Sequence, residues 1–295
     1  MRSTTQTPLV SVIIPVFNGA AFVARAIQSV LDQSMPDFEL IVVDDGSVDE
    51  TSAVVRAFTD RRLSLVVQAN GGPSAARNNG IQRSRAKWVA ILDADDYWAP
   101  TKLEAQLARA DATPSAALIY TAAQYCSPDG NAISEVPATI EENIHAALIQ
   151  KNHIVASSAM IRRDVLERVG LFHPELSGCE DWDLWLRIAE VADVAAVPEP
   201  LVSVVTRPDS LSSDATRMRN IGLRVINRVV ERNPGLTPAT RRRAYWACHY
   251  AAAIAYQSQG FVPLALRSLA RSVAFRPTFA PGYWRAVRIL SGRPQ

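Results

Sequence analysis

The first hundred residues alternate between short apolar runs and segments with the spacing of an amphipathic helix. Four apolar runs rich in β-branched residues predict buried strands, at residues 9–16, 38–43, 63–67 and 88–92. Helical spacing predicts helices between them, at residues 19–31, 47–58 and 74–84. Ser47 and Glu50 suggest a capping box at the second helix. Strands and helices alternating at this spacing build βαβ units, so we predict an α/β fold around a parallel sheet.

A polar cluster follows each of the four predicted strands directly. The clusters are Asn18 with Gly19, Asp44 to Ser47, Asn70 to Gly72, and Asp93 to Asp96. The carboxyl ends of parallel strands meet at one edge of a sheet, and ligands of such sheets bind beyond that edge. We therefore expect the four clusters to form one rim of a ligand site.

The rest of the chain is less regular up to about residue 207 and helical after it. The pattern predicts strands at 116–125, 155–161, 194–197 and 201–205, a hairpin turn at 127–130, and helices at 140–150, 164–169 and 181–191. Beyond Pro208 strand signals vanish, and helices are predicted at 216–231, 240–259, 262–275 and 283–290. We therefore divide the chain into domains at residues 1–210 and 211–295.

Composition fits a globular protein that works in a reducing compartment. Hydrophobic residues make up 48% of the chain and charged residues 20%, which is enough apolar material for a normal core. The three cysteines, Cys126, Cys179 and Cys248, are far apart and include no CxxC pair. The start shows no secretory signal, and no stretch reaches the roughly 18 to 20 apolar residues of a membrane helix. We expect a cytoplasmic location.

The net charge of +2 is the sum of an acidic N-terminal region and a basic C-terminal tail. Residues 207–295 hold 15 arginines and three acidic residues, a balance of +12. Residues 1–206 hold 16 basic and 26 acidic residues, a balance of −10. This asymmetry suggests two regions with different partners.

The strongest chemical signal is the group Asp93, Asp95 and Asp96, directly after a predicted buried strand. Three carboxylates at one strand end repel one another unless a cation lies among them. Hard carboxylate oxygens suit Mg²⁺ or Mn²⁺, which also bind phosphate oxygens of a substrate. Such an ion can neutralise charge that develops on a diphosphate leaving group. The alternative is an acidic helix N-terminus that complements the helix dipole.

Two further clusters have the character of ligand-facing turns. Asp44 and Asp45 follow a strand, where an acidic residue can bind a ribose hydroxyl or a base N–H; a plain turn with a helix cap is the alternative. Gly71 and Gly72 lead into a helix whose N-terminus favours anions, and Arg77, one turn in, can reach a phosphate or a base. An ordinary strand-to-helix loop is the alternative there.

A last acidic group lies at the start of the helix predicted at 181–191. Glu180, Asp181 and Asp183 lie within four residues and fit a helix N-terminus electrostatically. One of them, beside an acceptor hydroxyl, can act as a general base. Helix capping alone is the alternative.

Taken in order, these motifs resemble those of glycosyltransferase family 2, whose catalytic domain has the GT-A fold. The resemblance covers about residues 8–206. It rests on residues 10–18 (VSVIIPVFN), 43–47 (VDDGS) with Asp49 and Thr51, Gly71 to Pro73, Ala76 to Asn78 with Gly80, 92–96 (LDADD), and Glu180 to Trp182 with Leu184 and Arg187. The set is highly specific because all of these segments occur together and in order.

The resemblance implies roles for these residues. Those that would bind the nucleotide sugar are Pro15, Val16, Phe17, Asn18, Asp44, Asp45, Gly72, Arg77, Asp93, Ala94 and Asp95. Within that set, Asp45 would meet the base and Arg77 would help to hold the nucleotide.

The resemblance also implies a metal site and a catalytic base. Mn²⁺ or Mg²⁺ would lie on the diphosphate, with Asp93, Asp95 and Asp96 as candidate ligands among which the sequence does not choose. Asp181 would deprotonate the acceptor hydroxyl, and Glu180 would orient the acceptor or Asp181. The anomeric carbon would be attacked from the face opposite the nucleotide, so its configuration would be inverted.

We therefore expect an enzyme that moves one sugar from a nucleoside diphosphate sugar to a glycan or lipid-linked acceptor. UDP is the commonest carrier in the family, and cell-surface polysaccharide or glycolipid assembly is the expected setting. The chain has no QxxRW-type motif of processive members, which favours transfer of single sugars. Two alternatives remain: a nucleotidyltransferase, although residues 15–19 do not form its phosphate loop, and a non-catalytic scaffold that binds nucleotide sugars.

The basic tail carries a second pattern. Seven residues are spaced in a way that resembles one tetratricopeptide helix pair: Ala253, Tyr256, Gly260, Ala265, Leu269, Ser272 and Pro277. The alternative is a plain helical hairpin. No nucleic-acid motif accompanies the arginines, so nucleic acid is not an expected partner. We expect peripheral contact with an anionic membrane on its inner face, against the alternative of a merely solvated arginine-rich surface. The tail is also a candidate homodimer surface.

Overall fold

The computed structural model describes residues 7–139, 143–207, 214–278 and 285. By their internal contacts these residues divide into two units. Unit 1 holds residues 7–139 and 153–207, and unit 2 holds residues 143–152, 214–278 and 285. Residues 143–152 thus group with the C-terminal helices rather than with the sheet that surrounds them in sequence.

Unit 1 is built on one mixed β-sheet. Its described strands are β1 (Val10–Val16), β2 (Phe38–Asp44), β3 (Leu63–Val67), β4 (Trp88–Ile91), β5 (Tyr97–Trp98), β6 (Ala116–Cys126), β7 (Ala132–Val136), β8 (Met160–Arg162) and β9 (Asp193–Val205). Its described helices are α1 (Val23–Leu31), α2 (Thr51–Arg56), α3 (Pro73–Arg83), α4 (Lys102–Ala112), α6 (Arg163–Val169) and α7 (Glu180–Ala189). Single 3₁₀ turns lie at Ala156–Ser158 and Pro174–Leu176.

The strands lie in the order β3-β2-β1-β4-β8-β6-β9-β5, and β7 pairs with β6. The first four are parallel, with Val10 of β1 opposite Phe38 of β2 on one side and Trp88 of β4 on the other. β8 runs antiparallel to both β4 and β6. The parallel half confirms the predicted βαβ units, and it brings the ends of β1, β2 and β4 to one edge.

β1 is buried on both faces of the sheet. Val12 and Ile14 belong to the same buried cluster as Ile27 of α1. Ile13 points to the opposite face, where a Cβ added at Gly80 of α3 would lie 2.4 Å from Ile13 Cγ2. Full burial of one such aliphatic side chain contributes roughly 1.5–3 kcal/mol. The missing side chain at Gly80 therefore lets α3 cover the sheet closely, as a parallel sheet requires.

The sequence pattern did not predict α4, and the reason is chemical. Its inward face includes Lys102 and Gln106, which are both fully buried. Lys102 Nζ donates to Gln106 Oε1 at 2.6 Å and lies 3.9 Å from the centre of the Trp98 ring. Gln106 Nε2 donates to the carbonyls of Ile119 and Ser158. Burial lowers the pKa of Lys102 well below its ordinary value. Because polar residues occupy part of this inward face, the segment lacks the apolar periodicity from which a helix is predicted.

The predicted capping box at Ser47 and Glu50 is wrong. α2 begins at Thr51. Ser47 Oγ instead accepts the N–H of Asn18 at 2.8 Å, and the N–H of Ser47 donates to Asp44 Oδ1 at 2.9 Å. The buried Asp44 carboxylate therefore folds residues 44–47 into a turn before the helix begins.

Two predicted strand boundaries also differ from the structure. The segment 155–161 is divided between the 3₁₀ turn Ala156–Ser158 and the short strand β8. The segments 194–197 and 201–205 belong to one strand, β9, whose pairing with β6 shifts register between Thr121 and Ala123. Such irregularities depend on the neighbouring strand, so a single segment does not reveal them.

Unit 2 is helical in its described residues, with α5 (Ile144–Gln150), α8 (Ala215–Arg232), α9 (Pro238–Ser258) and α10 (Val262–Phe275). A short turn at Gly260, with φ +78°, joins α9 to α10. The small buried residues Ala253 and Ala265 allow close packing beside Tyr256. Asp214 and Thr237 cap the N-termini of α8 and α9 by accepting backbone N–H bonds.

The helices predicted at 216–231, 240–259 and 262–275 are confirmed within one or two residues at their ends. The helix predicted at 283–290 lies outside the described residues except at position 285. Over the part of the chain that the structure describes, no helix combines the length and the apolar character needed to cross a membrane.

Candidate active site

The loops after β1 and β2 are joined by hydrogen bonds. Asn18, with φ +50°, accepts the N–H of Val48 at 2.9 Å and donates its own N–H to Ser47 Oγ at 2.8 Å. The N–H of Gly19 donates to Thr51 Oγ1 at 2.8 Å. These bonds hold the two loops together at the end of the parallel strands, as expected for one rim.

The predicted nucleotide-binding residues at this rim differ in exposure. Pro15, Val16 and Ala94 are buried, so their side chains are not available to a ligand. Phe17 is 49% exposed and offers an aromatic face to solvent.

Asp45 ties the loop after β3 to the end of β2. Its Oδ1 accepts from Gln68 Nε2 at 2.7 Å and from the N–H of Gly71 at 2.9 Å. Its Oδ2 accepts from the N–H of Gly72 at 2.8 Å. Gly72 has φ +85°, a conformation that glycine adopts without strain. Asp45 therefore shapes the loop before α3, and its contact with a base stays a prediction.

Arg77 of α3 joins two carboxylates from distant parts of the chain. Its Nη1 donates to Glu180 Oε1 at 2.5 Å, and its Nη2 donates to Asp93 Oδ1 at 2.6 Å. The side chains of Arg77 and Glu180 are each 7% exposed, whereas that of Asp93 is 33% exposed. Burial by itself lowers the pKa of Arg77, but Asp93 and Glu180 outweigh it and raise the pKa above its ordinary value. We call these three residues the arginine bridge.

A second set of contacts supports the arginine bridge from the segment 169–172. Asn78 and Phe172 exchange two hydrogen bonds, Nδ2 to O at 2.8 Å and N–H to Oδ1 at 3.0 Å. The Phe172 ring centre lies 5.4 Å from the guanidinium carbon of the bridge. Arg187 donates to the carbonyls of residues 169–171 and to Asp183 Oδ2 at 2.8 Å. The side chains of Asn78 and Arg187 thus fix the segment against which Arg77 packs.

The three carboxylates after β4 have different environments. Asp96 is 4% exposed and accepts from the Ser157 hydroxyl at 2.5 Å and from the N–H of Val205 at 3.0 Å. Burial, together with the charges of Asp93 and Asp95, raises the pKa of Asp96 well above its ordinary value. Asp96 therefore stabilises the buried side of the loop after β4. Asp93 and Asp95 are the more accessible carboxylates.

A divalent ion fits this donor set together with substrate oxygens. Among the described residues, no group of three or more His, Cys, Asp or Glu side chains forms a complete metal site. Asp93 and Asp95 offer hard carboxylate oxygens, and Mg²⁺ is commonly held by one or two carboxylates plus substrate phosphates. Both residues are partly exposed, so a diphosphate can supply the remaining ligands.

α7 begins with three acidic residues in three environments. Glu180 is held by Arg77, and Asp183 is fully buried against Arg187. Asp181 is partly exposed, unlike its two neighbours. A base that meets an acceptor hydroxyl must be accessible, so of these three carboxylates Asp181 has the suitable exposure.

Some supporting residues had no motif of their own. Ser157 accepts the N–H of Asp93 at 3.1 Å as well as bonding Asp96, and a serine in an irregular segment gives no signal. Tyr125 of β6 is half-buried, and its pKa is raised by burial and by the charges of Asp96 and Asp181. Only tertiary structure brings these residues to the rim.

The fold is that of a GT-A glycosyltransferase, and the comparison with known families agrees. The profile of the family described as Glycosyl transferase family 2 matches residues 11–170, so the chain belongs to glycosyltransferase family 2. The predicted family and fold class are thereby confirmed.

Similar sequences are glycosyltransferases of bacteria. An uncharacterized glycosyltransferase of Rickettsia prowazekii is 29% identical over 208 residues, covering 68% of this chain and 65% of the relative. TuaG of Bacillus subtilis, a glycosyltransferase provisionally assigned to teichuronic acid biosynthesis, is 31% identical over 63% of this chain and 73% of its own. The chain thus spans slightly less than two thirds of the length of the Rickettsia relative.

Similar solved structures show the same fold. TarS of S. aureus, residues 1–349, superposes with a TM-score of 0.65 at 20% identity, covering 91% of this chain and 81% of TarS. The mannosyltransferase PcManGT of Pyrobaculum calidifontis, solved with GDP-Man and Mn²⁺, gives a TM-score of 0.66 at 21% identity, covering 97% and 85%.

Proposed function

We propose that this chain transfers a single sugar from a nucleoside diphosphate sugar to an acceptor hydroxyl, with inversion at the anomeric carbon. One observation carries the proposal: a single guanidinium, that of Arg77, contacts both Asp93 of the acidic motif and Glu180 beside Asp181. A donor diphosphate and a base for the acceptor are therefore separated by little more than one side chain.

The roles of the residues follow from their environments. Asp93 and Asp95 would hold Mn²⁺ or Mg²⁺ on the diphosphate, and the ion would supply positive charge to the leaving group. Asp181 would take the proton of the acceptor hydroxyl. Glu180, fixed by Arg77, would orient the α7 terminus rather than exchange protons. Attack from the Asp181 side, opposite the nucleotide, would invert the sugar.

The relatives support a role in cell-surface polysaccharide assembly. TuaG is provisionally assigned to teichuronic acid biosynthesis, and a hyaluronan synthase of Pasteurella multocida is 26% identical over 236 residues. TarS was solved with UDP-GlcNAc and PcManGT with GDP-Man. We propose a UDP-sugar as the donor, with GDP and dTDP as the alternatives, and a glycan or lipid-linked acceptor.

Thermal unfolding of the purified protein tests the donor site. UDP, GDP and dTDP are each added with and without Mn²⁺. A ligand present at about 100 times its Kd adds ~2.7 kcal/mol to the stability of the folded state. We expect a metal-dependent stabilisation by one nucleotide that Asp95→Asn removes.

The control is Asp111→Asn, which neutralises an exposed carboxylate at the far end of α4 and should leave that stabilisation unchanged. Stabilisation by no nucleotide would contradict the proposal. With the donor identified, Asp181→Asn should abolish sugar transfer while the nucleotide still binds, which separates the base from the donor site.

The basic surface of unit 2 supports a further proposal, peripheral contact with anionic membrane. Exposed arginines of α8 and α9 include Arg224, Arg242 and Arg243. Each basic residue near an anionic surface contributes about 1 kcal/mol. Flotation with anionic and neutral vesicles tests this, and equal recovery with both would contradict it.

A further inference from the structure

Three helices of unit 2 surround a pocket of about 430 Å³. Most residues of its wall are four apart, or a multiple of four apart, on each helix, which places them on one face. They are Arg219 and Asn227 of α8, Tyr245 and His249 of α9, and Arg271 and Phe275 of α10. The pocket is therefore a product of three helix faces and not of one loop.

The pocket is cationic. Two guanidinium groups, those of Arg219 and Arg271, belong to its wall, and among the described residues that line it there is no aspartate or glutamate. Arg271 has no hydrogen bond or ion pair with any described residue. Two positive charges in a wall that contains no carboxylate repel one another, so the wall favours an anion.

Two nitrogens of the wall residues are buried without a partner. Nδ1 of His249 and Nε of Arg219 have no hydrogen bond within the described residues. The His249 side chain belongs to a residue only 6% exposed. Buried polar groups of folded proteins are almost always paired, so unpaired groups beside a cavity are available to a ligand or to water that a ligand can displace.

The pocket also has a rigid aromatic wall. Phe275 stacks on Tyr245 with ring centres 5.3 Å apart and on His249 with centres 5.8 Å apart. The Tyr245 hydroxyl donates to Asn227 Oδ1 at 2.8 Å, which fixes the ring. An apolar wall with a few polar groups is typical of small-molecule sites.

We infer that this pocket binds a small organic phosphate, with the phosphate group at Arg219, Arg271 and His249 and the organic body against the Phe275 stack. Phosphate has several acceptor oxygens and matches guanidinium groups well. The volume exceeds that of a phosphate ion, which leaves space for a sugar-sized body. The site is separate in sequence from the proposed donor site and goes beyond it.

Histidine NMR of the full chain tests the inference locally. Burial, with Arg219 and Arg271, lowers the pKa of His249 to about 4. The groups facing His249 are these two arginines and Tyr245. The probes are inorganic phosphate, glucose 1-phosphate and, as a neutral control, glucose, in buffer with EDTA. The His249 signal is identified by its loss in His249→Phe.

We expect glucose 1-phosphate to raise the pKa of His249 towards its ordinary value in a saturable manner, and to bind more tightly than inorganic phosphate. Arg271→Gln should weaken binding about tenfold or more, because it removes a charge-assisted contact. The matched control Arg267→Gln removes an exposed charge of α10 outside the pocket and should change binding by less than about twofold. Circular dichroism confirms that both variants fold.

A lipid headgroup presents the same phosphate chemistry, so vesicles containing phosphatidic acid form a second arm. Flotation that is lost in Arg271→Gln and kept in Arg267→Gln would place a headgroup in the pocket and support the inference. Equal loss in both variants, without any His249 response to the soluble phosphates, would overturn it. An Arg271→Gln protein that binds glucose 1-phosphate as the parent does would overturn it as well.

Discussion

Arg77 and Glu180 lie 103 residues apart in the chain, yet Nη1 of one and Oε1 of the other are 2.5 Å apart. The same guanidinium holds Asp93 through Nη2. One cation thus sets the spacing between the acidic motif after β4 and the first turn of α7. The candidate active site is therefore organised by a tertiary contact that no single loop contains.

Arg77→Met should destabilise unit 1 by about 3–5 kcal/mol, because it leaves the buried Glu180 carboxylate without its counterion. The double variant Arg77→Met with Glu180→Met should recover a large part of that loss, since an apolar pair has no charge to desolvate. Urea unfolding followed by tryptophan fluorescence measures both. Arg83→Met, which changes an exposed arginine of the same helix, is the control. If Arg77→Met lowers the free energy of unfolding by no more than Arg83→Met does, the arginine bridge does not stabilise unit 1.

Ser157→Ala should raise the Mn²⁺ concentration needed for nucleotide binding, because Ser157 bonds both Asp96 and the N–H of Asp93. It should also cost about 1–2 kcal/mol of stability. Ser158→Ala is the matched control, since its buried hydroxyl donates only to the carbonyl of Val155 among described residues. Calorimetric titration with nucleotide at several Mn²⁺ concentrations distinguishes the two. The same Mn²⁺ requirement in both variants would show that Ser157 does not position the acidic motif.

Arg187→Met should destabilise unit 1 by about 3 kcal/mol or more, because Asp183 is fully buried and would lose its ion pair. The carbonyls of residues 169–171 would lose their donors at the same time. Hydrogen exchange should then increase in that segment. Arg168→Met, at an exposed position, should leave both quantities near those of the parent. Unchanged hydrogen exchange of residues 169–171 in the Arg187 variant would show that Arg187 does not hold this segment.

His249 should make unit 2 less stable in mild acid. Its pKa is about 4 in the folded protein against an ordinary 6.5, so between these values the unfolded chain binds the extra proton. Stability therefore rises with pH through this window and is lost as pH falls from about 6.5 towards about 4. Between about pH 7.5 and about pH 5 we expect a loss of about 1–2 kcal/mol attributable to His249.

Urea unfolding of the parent and of His249→Phe at both pH values measures this contribution. The pH dependence should be smaller in His249→Phe, because a phenylalanine does not titrate. An identical pH dependence in the parent and His249→Phe would assign the effect to other groups.

The sequence predicted the rim of the site better than its interior. The four polar clusters follow from the alternation of strand and helix, because parallel strands carry their carboxyl ends to one edge. The partners of Arg77 could not be predicted from the sequence, because an arginine one turn into a helix can bind a phosphate or a carboxylate equally well. α4 was missed because Lys102 and Gln106 replace apolar residues on its inward face. Side-chain partners far apart in sequence have no periodicity to reveal them.

The three hydrogen bonds that Asp45 receives have a consequence for protein engineering. The segment from Gln68 to Gly72 is held by the carboxylate at the end of β2, although the chain separates the two by more than twenty residues. The two pieces therefore form one structural unit. A loop grafted from a relative without a matching acidic residue would lose the anchor that holds its two glycine N–H groups. Recombination of this loop between family members should therefore preserve its conformation only when both pieces come from the same parent.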